Sequence, residues 1–341
     1  MTGASVLERI DRWQRRRRWA GFIVGVGRKY AEDGAARHGA RIAYYSFFSV
    51  FPLMLAFVSI LGYVLEGNPA LRRNILGSTY ADMPVIGPFI RDDIGAISGS
   101  GVALALGIAV ALWAGLGVTV ALSQALDRVW STPPVEQPGF VARRARACVT
   151  LLVGGLGLVC SSVLGGVATG GHLGPASATA ASVLLSIAVD ALVLLTAFRL
   201  LTAARQRLGD LVPGVIVAAL GLLILQALGG WYVDTTIRRA TDTYGLFATV
   251  IGLLSWLTLA AQLVLIAAEL NAVRSLALWP RSLCGTMTVA DRKALERYAR
   301  SALHDPRERI TVGWMQDDGA AAKADGCTPP ADERPPAHHR A

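Results

Sequence analysis

Six long apolar runs are separated by polar stretches, at residues 42–64, 102–122, 148–168, 178–201, 211–233 and 246–270. Each predicts a helix, and each is long enough to cross a bilayer, because about 20 residues rising ~1.5 Å apiece cover a hydrocarbon core of ~30 Å. Soluble proteins bury apolar helices, but rarely six of this length with so few polar interruptions. The predicted fold is all-α, a polytopic membrane bundle of six transmembrane helices.

Shorter patterns flank the runs. Leu7, Ile10 and Trp13 recur at helical spacing, and Phe22, Ile23 and Val26 continue an apolar face beside Arg15, Arg16, Arg17, Arg18 and Arg28. This reads as an amphipathic helix on the inner membrane surface, with Arg15 to Arg18 contacting lipid headgroups. Nucleic acid is the alternative partner for such a run, and lipid is preferred because the run lies beside a span. Between Glu66 and Gly101, Leu71, Ile75, Ile90 and Ile94 predict short interfacial helices broken at Met83-Pro84. The third-to-fourth connection, around Gly170, Gly171, His172 and Gly174, predicts a tight hairpin. Near the end, Thr288 and Asp291 make a capping box that opens a helix to about His304. The expected domains are therefore a basic juxtamembrane region (1–41), a six-helix membrane domain (42–275), a cytoplasmic helical extension (276–316) and a disordered tail (317–341).

Charge orients the bundle. Threaded alternately, the six spans leave 28 Lys and Arg on one side and 5 on the other. The positive-inside rule then places both termini in the cytoplasm. Composition agrees with a membrane protein, at 53% hydrophobic and 17% charged residues. The first 41 residues lack a signal-peptide core, so the first span reads as retained structure. Cys148, Cys160, Cys284 and Cys327 show no metal-ligand spacing and are expected to be free thiols.

Polar residues inside the spans need a reason, since an ionisable group at membrane depth costs about 2.5–3.5 kcal/mol on insertion scales. Asp190 lies near the middle of the fourth span, with Ser186 and Ser182 on the same helix face. It can serve as a proton relay or substrate counter-ion, or as a protonated carboxyl bonded to a neighbouring helix. In the sixth span Ser255, Gln262 and Glu269 repeat every seven residues, about two turns, and form a polar stripe. With Asn271 and with Gln226 of the fifth span, the stripe can line a path for a headgroup or proton, or it can glue a packing seam. Glu269 lies near the inner interface, where Arg41 and Arg274 are candidate partners. Pro52 interrupts the first span and reads as a hinge or a packing bend. Gly157, Ser161 and Gly165, four apart, predict close helix approach.

Several chemistries find no support in the residues. There is no P-loop pattern, no G-x-S-x-G elbow, and no histidine in a cluster with metal-site spacing. The expectation is a protein that is not an enzyme and takes no cofactor or metal.

Five stretches carry a family resemblance: "ARIAYYSFFSVFPLML" at 40–55, "ALDRVW" at 125–130, "LVPGVIVAA" at 211–219, "TYGLFATVIGLLSW" at 243–256 and "LIAAELNA" at 265–272. They occur in the order seen in the YihY/BrkB family of six-span bacterial inner-membrane proteins, which the chain resembles over about residues 20–280. The resemblance carries over Tyr44, Tyr45, Ser49, Pro52, Pro213, Tyr244, Gly245, Trp256, Glu269 and Asn271. Asp127 stands where the family often has Asn, and Ala267 where Gly is common. The family was once labelled ribonuclease BN, a label that fits none of these residues, and some relatives have been discussed as transporters of lipid or envelope precursors. The resemblance thus implies a multi-pass plasma-membrane protein whose partners are membrane lipids and an amphiphilic substrate, with homo-oligomers possible and no nucleic acid. The alternative is a non-transporting scaffold that recruits envelope enzymes through its basic ends, and the remote alternative is a ribonuclease, which only the old family label suggests.

Overall fold

The computed structural model describes residues 3–66, 101–169, 176–232, 246–284 and 286–314. These form helices α1 (Gly3–Arg16), α2 (Arg18–Glu32), α3 (Ala35–Glu66), α4 (Gly101–Val129), α5 (Phe140–Thr169), α6 (Ala176–Leu201), α7 (Leu208–Tyr232), α8 (Leu246–Ser275) and α9 (Val289–Arg300), with a 3₁₀ turn at Pro134–Glu136. No strand occurs among the described residues. Five helices carry segments long and apolar enough to cross a membrane: Ala105–Val129, Phe140–Ser161, Ala180–Leu201, Leu208–Gln226 and Val250–Ser275. The remaining apolar run lies within α3, a helix of 32 residues with Pro52 in its interior. The interfacial helices expected between Glu66 and Gly101, the Gly170 to Gly174 turn and the tail from 315 lie outside the described residues.

Each long helix packs against its neighbours in the chain, from α3 to α4 and on to α8, and α8 closes back on α3. Inside this ring α4 also touches α6 and α8. The α5–α6 hairpin is as close as the small-residue pattern predicts. A Cβ on Gly157 would lie 2.2 Å from Val193 of α6.

The buried apolar core gathers toward one end of the bundle. Leu126, Val129 and Trp130 of α4 meet Phe198 and Leu201 of α6, Leu211 and Val215 of α7, and Ala267, Ala268 and Ala272 of α8. At this end, the one expected in the cytoplasm from the charge count alone, burial explains why the helices overrun the predicted spans. α4 continues to Val129 and α8 to Ser275, because residues past the apolar runs are covered by other helices instead of lipid.

Both of these helices end in the same way. Thr132 N–H bonds to Asp127 O (2.9 Å) and Ser131 N–H to Arg128 O (2.9 Å); Leu278 N–H bonds to Val273 O (3.0 Å) and Ala277 N–H to Arg274 O (3.2 Å). These are Schellman motifs, with Ser131 (φ 50°) and Ala277 (φ 52°) in the left-handed position that usually takes glycine. The α2–α3 turn does use glycine, Gly34 at φ 65°.

At the carboxyl-terminal side, Thr288 caps α9 and forms the expected capping box with Asp291, though the helix ends at Arg300. The Trp279–Pro280 peptide is cis. The cysteine expectation needs one correction: Cys148 and Cys160 are free, but Cys284 is disulfide-bonded.

Candidate functional site: a buried ionic layer beneath the bundle

The N-terminal helices do more than lie beside the spans. Gly21 and Gly25 let α2 approach the segment after α8 closely, since a Cβ on Gly25 would stand 3.1 Å from Trp279 Cβ and 3.3 Å from Leu278 O. Val26 joins Val273, Leu278 and Ala294 in a small apolar cluster, with Phe22 edge-on to Trp279. The predicted amphipathic face is therefore divided. Phe22 and Val26 pack inward, while Ile10, Trp13, Trp19 and Ile23 face outward beside exposed Arg16, Arg17 and Arg18. Arg15 instead bonds to Asp11 at 2.7 Å.

This packing drives Lys29 into the bundle, where it is 1% exposed. Its ammonium pairs with Asp33, stands 3.0 Å from Glu269 Oε2 and donates to the Val129 carbonyl at 2.6 Å. Those partners come from the α2–α3 turn, α8 and the end of α4. A buried lysine is tolerated only with such compensation. Glu269 is fully buried, and its partner is Lys29, not Arg41 or Arg274.

A second ionic cluster adjoins the first. Arg281, also 1% exposed, donates Nε to Asp291 Oδ1 (2.6 Å) and Nη2 to both oxygens of Glu32 (2.9 and 3.0 Å). Arg28 lies 2.9 Å from Glu32 and 3.5 Å from Asp291. Burial would raise the Asp291 carboxyl, but the Thr288 N–H, the Arg281 guanidinium, the Ser282 N–H and the Thr288 hydroxyl outweigh it and hold the group at about 2. Tyr298 donates to Glu32 at 3.2 Å. Burial, followed by the negative Asp33 and Glu32, pushes its phenol well above the usual tyrosine range, so it stays a donor. On α1, Asp11 accepts from Leu283 N–H (2.8 Å), and Gln14 donates to Arg281 O (2.7 Å) and to Asp11 (2.8 Å). The layer thus ties α1, α2 and the 276–300 segment to one another, and Lys29 fastens them to α4 and α8.

The residues expected to form a polar path are not assembled in one place. Asn271 accepts from Gly214 N–H (2.7 Å) and donates to Leu211 O (2.9 Å), so its amide binds α7 backbone. Gln262 lies against α3, where a Cβ on Gly39 would be 3.1 Å from its Cγ. Ser255 and Gln226 are exposed on their helices. Ser186 donates to Val183 O of its own helix at 2.8 Å, and Ser182 is buried. Asp190 is half-buried in α6, with no ion pair or hydrogen bond to any described residue. Pro52 is half-buried in an unbroken α3, and its neighbour Ser49 donates to Ser46 O at 2.7 Å. Asp127, the departure noted in the "ALDRVW" stretch, accepts from Ala203 N–H at 2.9 Å and ties α4 to the end of α6.

Lys29, Asp33, Glu32, Arg281, Asp291 and Tyr298 are absent from the sequence-derived site. The i, i+4 spacing of Lys29 and Asp33 is a local signal for one pair, but nothing local links Lys29 to Glu269 or Glu32 to Arg281.

Apolar helices with a buried polar layer at one end define a multi-pass, all-helical membrane protein. The family described as Virulence factor BrkB matches residues 26–281, and the chain belongs to that BrkB/YihY family. It is 23% identical over 266 residues to the inner membrane protein YhjD of Escherichia coli K12, covering 72% of this chain and 78% of YhjD. It is 25% identical over 268 residues to the putative ribonuclease-like protein YfkH of Bacillus subtilis 168, covering 74% of this chain and 94% of YfkH. No solved structure matches it.

Proposed function

We propose that the chain is a plasma-membrane protein of six spans, α3 supplying the first, with both termini cytoplasmic, and that it moves a lipid or other amphiphile between leaflets. The observation that carries this reading is Asp190. It lies 11 residues before the end of α6 at Leu201, about 16 Å along the helix axis, and a carboxyl at that depth without a partner among the described residues fits a group that meets a transient one. Glu269 differs, because Lys29 already stands beside it at 3.0 Å. In this reading Asp190 and the Ser186 side of α6 meet the substrate, while Glu269 and Asn271 hold the bundle's cytoplasmic end together.

The test is fluorescent-lipid translocation in proteoliposomes, comparing the intact chain, Asp190→Asn, Glu269→Gln and empty vesicles. Faster translocation than empty vesicles, lost in Asp190→Asn, is the expected result. Rates equal to empty vesicles sink the translocation reading and favour a scaffold, for which the folded cytoplasmic layer offers a rigid surface. A rate unaffected by Asp190→Asn removes that residue from the path.

A further inference from the structure

The two ionic clusters beneath the bundle differ in charge balance. In one, Arg28 and Arg281 face Glu32 and Asp291, two cations to two carboxylates. In the other, the single ammonium of Lys29 serves both Asp33 and Glu269. All three groups are at most 3% exposed, so water contributes little to their solvation. Asp33 Oδ1 and both Glu269 oxygens lack a hydrogen-bond donor of good geometry, and Glu269 Oε1 has no ion-pair contact among the described residues either.

The other groups around the pair do not restore the balance. From α4, Arg128 lies 3.9 Å from Asp33 Oδ1, but its side chain is 44% exposed, and water screens it. It also lies over the ring of Tyr298 of α9, which is neutral. From α2, Tyr30 is near Glu269; burial, then that carboxylate, raises its phenol, so it too is neutral. From α3, His38 lies near Asp33, but burial, and after it the charges of Arg128, Arg41 and Arg37, disfavour a cation there. Two carboxylates around one ammonium in a dry site hold a surplus negative charge unless a proton neutralises one of them.

We propose that the Lys29, Asp33 and Glu269 cluster is a proton-binding site, in which one exchangeable proton from water is shared by the two carboxyl groups and Lys29 balances the remaining charge. The inference goes beyond translocation and does not depend on it. Because the cluster joins α2, the α2–α3 turn and α8, release of the proton alters the attraction between the N-terminal helices and the last span.

Infrared carbonyl spectra of the intact protein in proteoliposomes near neutral pH, in water and in deuterium oxide, provide the test. A deuterium-shifted band of protonated carboxyl is expected, beyond any part that disappears in Asp190→Asn. Glu269→Gln and Asp33→Asn should each abolish this component, since either leaves one carboxylate for one ammonium. Lys29→Met should raise it about twofold, because both carboxylates then lose their cation. A band lost entirely in Asp190→Asn, or one unchanged in both Glu269→Gln and Asp33→Asn, overturns the proposal. So does the absence of any such band in the unaltered chain, a result that needs no variant to fold.

Discussion

Asn271 shows how a polar residue within an apolar run can be read in two ways until its partners are known. Its carboxamide oxygen and nitrogen both bond α7 backbone, at Gly214 N–H and Leu211 O, and the helices are close enough there that a Cβ on Gly214 would lie 2.3 Å from Ala267 O. Asn271→Leu is therefore expected to cost about 2 kcal/mol, roughly 1 per hydrogen bond. Gly214→Ala should cost about 1–3 kcal/mol through overpacking. Thermal unfolding in detergent micelles measures both, and an Asn271→Leu protein of unaltered stability would show that this contact is not what holds α7 to α8. The spacing that placed Glu269 and Asn271 near one another was legible in the sequence. Their different partners were not, because Lys29 is 240 positions from Glu269 and the α7 backbone has no side-chain signature.

Helix ends carry the clearest element-scale consequences. Ser131 and Ala277 adopt positive φ to close α4 and α8, a conformation that costs a non-glycine residue roughly 1–2 kcal/mol. Glycine relieves that cost but gains flexibility when unfolded, so Ser131→Gly and Ala277→Gly should each stabilise the protein by up to about 1 kcal/mol, read as a rise in midpoint temperature. Destabilisation by both would mean that the side chains contribute more than the backbone strain costs. The end of α9 that bears Asp291 responds to acid. Its carboxyl is held at about 2, below the ordinary aspartate value of 3.8, so the stabilisation it gives is present above about pH 4 and lost as pH falls toward 2. Protection against hydrogen exchange across 281–300, corrected for the intrinsic pH dependence of amide exchange, should fall over that interval in the unaltered chain and show a weaker pH response in Asp291→Asn. The capping box of α9 was legible because it is local, whereas the left-handed ends were not, since neither carries the glycine that usually marks them.

The whole molecule joins a bundle that faces lipid to a polar layer that does not. Long apolar runs identify the first part because a bilayer demands about 20 such residues in sequence. The second part is spread over 11–33, 127–129, 269 and 281–298, and charged residues in those stretches read locally as solvent or headgroup contacts. Only packing turns Lys29 and Arg281 inward. The same packing decides which part of the N-terminal helices remains available to the membrane. With Phe22 and Val26 covered, the outward face consists of Ile10, Trp13, Trp19 and Ile23, and Trp13 stands edge-on to Trp19 with ring centroids 5.5 Å apart. Amphipathic rings beside exposed Arg16, Arg17 and Arg18 suit the headgroup region of an anionic leaflet, where each basic residue contributes about 1 kcal/mol. In nanodiscs, tryptophan emission should shift to shorter wavelength when zwitterionic lipid is replaced by anionic lipid, and Trp13→Ser with Trp19→Ser should remove most of that shift. High salt should weaken the response through screening, although Trp13 stays anchored by α1, whose opposite face is bonded to 281–283 through Asp11 and Gln14, and Trp19 by α2, which packs on 278–280 at Gly21 and Gly25. A shift that persists without both tryptophans would place the lipid contact elsewhere on the protein.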